Sequence, residues 1–225
     1  MPEVSETRSK AELYEAFAAS GKALASGKRL ELLDLLAQGE RTVEALTRAA
    51  GLNLTTTSAH LQTLKHAGFV VARRDGVRLY YRLAGHDVAR LLALLRKVAE
   101  AHQPAVPVAR DAYLGTFAGT EVTRDELVKL AQAGGVVVLD VRPIEEYRAG
   151  HIPGAICIPV DELSGRIGEL PDGVEIIVYC RGEYCRMAYE AVQMLIDRGR
   201  RAIRLSDGML EWLLSELPVD TGASV

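Results

Sequence analysis

Apolar residues recur at helical spacing through the first hundred positions, then give way to short unbroken apolar runs separated by helical stretches. Residues 9–20 carry Leu13 and Phe17, and residues 28–37 carry Leu30, Leu32, Leu33, Leu35 and Leu36, before Gly39 ends the second helix. Thr42 opens a short helix over 43–50 that Gly51 closes, and Asn53 is a good N-cap for a helix over 55–66 that Gly68 stops. Two short helices joined by Gly51-Leu52-Asn53-Leu54 are a helix-turn-helix signal. On the second of them Leu61 and Leu64 face the core, which leaves Thr56, Thr57, Ser58, His60, Gln62 and Lys65 for its outer sides.

The spacing then changes from helical to extended. Residues 69–74 and 77–83 read as two strands joined by Asp75-Gly76, a type I′ turn pair. A helix-turn-helix followed by an arginine-bearing hairpin predicts a winged helix, mainly α with a β-hairpin wing. Its recognition helix enters the major groove of double-stranded operator DNA while Arg73, Arg74 and Arg78 lie against phosphates. A helix over 87–101 carries Val88, Leu91, Leu92, Leu94, Leu95 and Val98, more apolar surface than a lone helix leaves in water.

Residues 103–120, with two early prolines and two late glycines, read as a linker with about one helical turn. Thr123-Arg124-Asp125-Glu126 is a capping box that starts a new unit. Strands at 136–140, 176–179 and 202–205 then alternate with helical stretches at 145–149, 163–169, 187–198 and 209–216, and residues 151–159 read as irregular. That order predicts an α/β domain with a parallel sheet, its crevice at the strand C-termini. The expected division is therefore 1–102, a linker at 103–120, and 121–225.

Charge separates the two parts further. Residues 1–102 hold 15 Lys and Arg against 11 Asp and Glu, whereas residues 103–225 hold 12 against 19. The first part is suited to a polyanion and the second is not. No apolar run is long enough for a membrane span, and the first ten residues lack the apolar segment of a signal peptide. Three cysteines, all beyond position 150, do not make a secreted disulfide framework, so the cytoplasm is the expected compartment.

The candidate chemistry lies in Cys180-Arg181-Gly182-Glu183-Tyr184-Cys185-Arg186. A strand ending in a cysteine, a tight loop and a helix point backbone N–H groups and a positive helix end at the thiol, which favours the reactive thiolate. Arg181 and Arg186 add positive charge, and Cys185 is a second thiol on the same loop. The blander alternative is a pair of small buried hydrophobes. Asp140 and His151 suggest a triad with Cys180, but a structural role in shaping the turn at 150–155 is the simpler reading, and Cys157 reads as a core residue.

Taken as a set, Leu24-Ala-Ser-Gly-Lys-Arg-Leu30, Gly51-Leu52-Asn53, Ser58-Ala59-His60-Leu61 and Gly76-Val-Arg-Leu-Tyr-Tyr-Arg-Leu83 resemble the ArsR/SmtB family of bacterial transcriptional repressors. The resemblance implies a homodimer through the helices at 9–20 and 87–101. Many members bind metal through cysteines on the helix that here spans 43–50. This chain has none there, and His86, Asp87 and His102 do not reproduce the alternative ligand pattern, so no metal and no other cofactor is expected. Ala59 stands where many relatives carry an arginine.

The second part resembles the rhodanese family of sulfurtransferases, through Leu139-Asp-Val-Arg142, Glu146-Tyr147, Gly150-His-Ile-Pro-Gly-Ala155, Tyr179-Cys180-Arg181, Asp207-Gly208 and Glu211-Trp212. The resemblance implies a persulfide on Cys180, loaded from a sulfane-sulfur donor and passed to a thiol acceptor. Cys185 could resolve that persulfide as a nearby thiol. The expected function is a repressor that senses or transfers sulfane sulfur. Two alternatives stay open: a thiosulfate or persulfide sulfurtransferase with autoregulatory DNA binding, and an arsenate-reductase-like enzyme in which the Cys180-x5-Arg186 spacing cradles an oxyanion.

Overall fold

Side-chain caps start several of the helices. The computed structural model describes residues 9–115 and 119–222, which divide into two units, 1–92 and 93–225. In the first, the Ser9 hydroxyl accepts from Glu12 N–H at 3.2 Å and the Glu12 carboxylate accepts from Ser9 N–H at 2.6 Å, opening α1 (Lys10–Leu24). Then come α2 (Gly27–Ala37), β1 (Arg41–Thr42), α3 (Val43–Ala49) and α4 (Leu54–His66), whose N-cap Asn53 accepts from Thr56 N–H at 2.8 Å. β2 (Val70–Asp75) and β3 (Arg78–Leu83) form the wing, and β1 adds to it in the antiparallel order β1-β3-β2. Leu32, Leu46, Leu61, Leu64 and Tyr81 are buried in one core. The boundary between the units falls inside α5 (His86–His102).

The hairpin turn sits one residue further on than the sequence predicts. Asp75 pairs with Arg78, so Gly76 and Val77 form the turn. Gly76 has φ +56°, whereas Val77 is not among the residues at positive φ. Glycine at the first central position with a negative φ after it is the pattern of a type II′ turn rather than I′.

In the second unit, the stretch read as a linker contains a ten-residue helix, α6 (Ala105–Leu114). The remainder of that linker includes residues 116–118, which lie outside the described residues. β4 (Glu121–Val122), α7 (Arg124–Ala133), β5 (Val136–Asp140), α8 (Ile144–Ala149), β6 (Ile156–Cys157), α9 (Val160–Arg166), a 3-10 turn at Ile167–Glu169, β7 (Glu175–Tyr179), α10 (Arg186–Asp197), β8 (Arg201–Leu205) and α11 (Met209–Leu214) follow. The strands pair in parallel in the order β4-β8-β7-β5-β6.

Strand periodicity decides where the loop cysteine goes. Along β7, Ile176 and Val178 join the core layer that holds Leu163, Ala188, Val192 and Leu195, while Ile177 and Tyr179 join the layer with Leu127, Met209 and Trp212. Cys180 continues the first series and is buried on the α10 side. Among the described residues no helix is long and apolar enough to cross a membrane.

Candidate functional site

The loop from Cys180 to Cys185 is held at its base by main chain. Met209 N–H donates to the Cys180 carbonyl at 2.9 Å and Leu210 N–H to the Arg181 carbonyl at 3.0 Å, so the first turn of α11 closes on it from below. A Cβ at Gly208 would lie 2.3 Å from the Gly182 nitrogen and 2.6 Å from the Cys180 oxygen, so no larger residue fits there. Arg181 is fixed by a fork to the buried carboxylate of Glu146 on α8, at 2.6–3.0 Å.

The two thiols have different surroundings. Cys180 is 1% exposed, and its Sγ faces the carbonyls of Cys185 at 3.4 Å and Gly182 at 3.9 Å. Burial pushes this thiol well above its usual range, although the N–H groups of Ala188 and Gly182 pull the other way. Cys185 is half-buried and is the N-cap of α10. The Cys180 S–H within reach of its sulfur, the N–H groups of Arg181 and Met187, and the Arg181 charge together hold its pKa below the usual thiol value. Both cysteines are free thiols in this structure.

Arg186 does not join them. Its exposed guanidinium pairs with Glu190 one turn along α10, at 3.4 Å, and lies over the Tyr113 ring at 5.8 Å. The other basic loop residue, Arg181, is already engaged by Glu146. The oxyanion cradle that the Cys180-x5-Arg186 spacing suggests is not assembled.

His151 and Asp140 do not form a triad with Cys180. Asp140 holds the buried Arg142 guanidinium at 2.6–3.1 Å, and Arg142 Nη2 also donates to the Gly150 carbonyl at 2.7 Å. His151 stacks on Tyr147 with ring centroids 3.7 Å apart and its Nδ1 lies 2.8 Å from the Tyr147 carbonyl. Both groups shape the turn that follows α8. Cys157 lies on β6 in the opposite core layer, and burial pushes its thiol up to about 12.

Three residues outside the set of candidate site residues, Tyr184 and Glu183 on the loop and Glu211 beneath it, also shape this site. Tyr184, between the cysteines, donates its hydroxyl to Glu100 on α5 at 2.5 Å, with the Arg96 guanidinium over its ring at 5.8 Å. The Arg110 guanidinium bonds the other oxygen of Glu100. Glu211 lies under the loop, where its carboxylate accepts from Gly208 N–H at 3.0 Å and abuts Gly182. Burial raises its pKa from 4.5 to about 7. Glu183, on the loop itself, is also raised by burial, with Glu100 and Asp207 adding to the effect. Glu211 stands in one of the motifs above, but a motif does not report burial.

On the recognition helix α4 one expected contact residue is removed. Thr57 is 0% exposed and its hydroxyl donates to the Asn53 carbonyl at 3.0 Å, so it caps the turn and cannot reach a base. Gln62 and Lys65 are exposed, Thr56, Ser58 and His60 are half-buried, and Gln62 bonds the Tyr81 hydroxyl at 3.1 Å. On the wing, Arg74 and Arg78 are exposed. Arg73 is committed to Glu40 at 2.5–2.9 Å and stacks on Tyr80 at 4.5 Å, which positions the wing rather than leaving the charge for a phosphate. Among the described residues no group of three His, Cys, Asp or Glu side chains is placed to hold a metal ion.

Two family models match separate parts of the chain. The model of the bacterial regulatory protein, arsR family, matches residues 26–71, and that of the rhodanese-like domain matches residues 123–215. An HTH-type transcriptional regulator of Mycobacterium tuberculosis is 56% identical over 216 residues, which is 96% of this chain and 95% of that protein. A sulfurtransferase of Allochromatium vinosum is 29% identical over 92 residues, 40% of this chain and 84% of its own. The solution structure of a homodimeric winged helix-turn-helix DNA-binding domain from Mycobacterium bovis shares 57% identity, covers 45% of this chain and 94% of its own, and superposes with a TM-score of 0.41.

Proposed function

Because this chain belongs to the ArsR family of transcriptional regulators and carries a rhodanese-like domain behind its helix-turn-helix, we propose that it is a cytoplasmic, homodimeric repressor whose operator affinity responds to sulfane sulfur at Cys180 and Cys185. The observation that carries the reading is the dithiol itself: two free thiols on one loop, with the Cys180 Sγ 3.4 Å from the Cys185 carbonyl. The first 102 residues contain no cysteine, so any thiol-borne signal starts at the second unit. Dimerisation is supported by apolar side chains left in water, Leu91, Leu94, Leu95 and Val98 on α5 and Leu13, Tyr14 and Phe17 on α1. Gln62 and Lys65 on α4, with Arg74 and Arg78 on the wing, are the exposed groups suited to DNA.

The test is fluorescence anisotropy on the DNA upstream of the protein's own gene, with wild type and Cys180→Ser, each with and without inorganic polysulfide. Affinity that changes for wild type alone supports the sensor. Affinity that never changes removes it and leaves a sulfurtransferase joined to a repressor, a second reading favoured by the likeness to the A. vinosum sulfurtransferase. An arsenate-reductase-like role has no such support, because Arg186 pairs with Glu190 instead of lining the thiol.

A further inference from the structure

Cys180 occupies the position at which the rhodanese resemblance places the sulfur-accepting thiol, yet it is 1% exposed. A sulfane-sulfur donor must come within bonding distance of that sulfur, so part of the loop has to move first. Cys180 and Arg181 are bound through their carbonyls to α11, and the Arg181 guanidinium is bound to Glu146. Glu183, Tyr184 and Cys185 are left as the part that can swing.

The groups holding that part come from outside the residues that match the rhodanese-like model. The Tyr184 hydroxyl donates to Glu100 at 2.5 Å, Arg96 lies over its ring at 5.8 Å, and Arg110 bonds the other oxygen of Glu100. Burial and the Glu100 carboxylate push the phenol's pKa above its usual value, so it stays a donor at neutral pH. Just beyond Cys185, Arg186 lies over the Tyr113 ring at 5.8 Å. All four partners sit on α5 and α6, between the stretches at 26–71 and 123–215 that the two family models match. Resting on the reading that Cys180 takes up sulfane sulfur, we infer that α5 and α6 strap this loop shut, with Glu100 as the positioning residue that keeps Cys180 shielded by holding Tyr184.

Opening the strap activates the thiol as well as exposing it. Burial raises the Cys180 pKa most and Cys185 adds to it, while the N–H groups of Ala188 and Gly182 pull it down. The carbonyls of Cys185 at 3.4 Å and Gly182 at 3.9 Å accept the thiol's proton. Release of Tyr184 carries the adjoining Cys185 carbonyl away and lets water in. The Gly182 N–H stays on the tethered half of the loop and the Ala188 N–H in the first turn of α10, so the groups that favour a thiolate remain. That thiolate attacks the outer sulfur of a persulfide donor. A new S–S bond forms at Cys180, the donor's own S–S bond breaks, and the donor leaves as a thiolate, with no external oxidant or reductant consumed.

Two measurements on the full chain test this. In the first, native wild type, Tyr184→Phe, Glu100→Ala and Glu100→Gln are pulse-alkylated with iodoacetamide and digested with trypsin, which cuts after Arg181 and so places Cys180 and Cys185 on different peptides. Cys180 should label about tenfold faster or more in Tyr184→Phe and Glu100→Ala, the factor that a hydrogen bond to a charged group is worth. Glu100→Gln keeps an acceptor oxygen for the phenol and should stay nearer to wild type. Cys157, in the opposite core layer, should label at its wild-type rate throughout. An unchanged Cys180 rate overturns the inference, and so does a Cys157 rate that rises by the same factor, since that is a loosened fold and not a released strap. In the second, the same proteins are treated briefly with inorganic polysulfide and the sulfur added at Cys180 is followed by mass spectrometry. Its initial rate should rise in the same order, and a Tyr184→Phe rate equal to wild type overturns the inference. If no protein acquires sulfur, the sulfane-sulfur reading falls while the alkylation rates still decide the strap. Sulfur that reaches Cys180 without any change in DNA affinity removes the sensor reading alone.

Discussion

Glu211→Gln should stabilise the second unit at neutral pH, because the wild-type carboxylate is ionised there in a place that disfavours charge. Burial beside Gly182, with Asp207 adding, raises its pKa from 4.5 to about 7, against the opposing pull of the Gly208 N–H and Arg96. A carboxyl whose pKa is higher in the folded chain than in the unfolded one holds its proton more tightly when folded. Its contribution is therefore complete below pH 4.5 and is lost as the pH rises through about 7. The whole span corresponds to about 3 kcal/mol, which partial solvent contact of the side chain reduces to about 2 kcal/mol. Gln keeps the shape and an oxygen for the Gly208 N–H, so the substitution removes the titration and little else. Urea unfolding of the full chain, followed through the buried Trp212, the sequence's single tryptophan, reads the second unit alone. Between about pH 5 and about pH 8 the wild type should lose about 2 kcal/mol relative to Glu211→Gln. Glu183 titrates in both proteins and cancels in the difference. Parallel curves, or a variant less stable than wild type at the higher pH, would refute the reasoning.

Arg142→Ala leaves the Asp140 carboxylate buried without its partner and should cost about 3–5 kcal/mol in the same urea assay, far more than loss of a surface pair. Lys65→Ala should weaken operator binding alike on all sequences and lower the slope of log affinity against log salt by about 1. Thr57→Ala, by contrast, should cost about 1–2 kcal/mol of stability and leave that salt slope unchanged, since its hydroxyl is spent on Asn53. Leu94→Glu on α5 places a charge on an exposed apolar face and should shift analytical ultracentrifugation profiles from dimer toward monomer. Tyr184→Phe removes the hydrogen bond to Glu100, and should leave sulfur loading intact while reducing the change in DNA affinity that loading produces.

Much of this architecture is legible in the sequence because its signals are strong physical ones. Asn53 and Thr123 cap where capping residues should, and the apolar run at 136–140 is a strand buried among parallel neighbours. What the sequence conceals has equally physical causes. β1, β4 and β6 are two residues long, too short for any period to register. α6 is hidden by Pro104 and Pro107, which read as breakers but occupy the N-cap and first turn, where no intrahelical N–H partner is lost. On α4, Thr57 stands four and seven residues before Leu61 and Leu64 and so shares their inward face; its polar side chain, not its spacing, suggests an outer position. Around the loop, the motif gives the identity of both cysteines but not which of them the fold turns inward. That depends on the alternation along β7, which carries Cys180 under α10. The partners of Arg181, Tyr184 and Gly208 come from positions 35, 84 and 3 residues away, and only the nearest of these is within reach of a local pattern.

The main-chain closure of α11 on the loop has a mechanical corollary. With Cys180 and Arg181 tied by their carbonyls, Gly182 wedged against Gly208, and the Arg181 guanidinium moored to Glu146, the upstream half of the loop has no room to yield. An extra sulfur atom, or a bond drawing Cys185 toward Cys180, must therefore be accommodated by Glu183, Tyr184 and the first turn of α10. The loop behaves as a lever with a fixed fulcrum, and its free arm ends in the phenol of Tyr184. That phenol rests on Glu100, in the last turn of the helix whose opening residues pack in the DNA-binding unit.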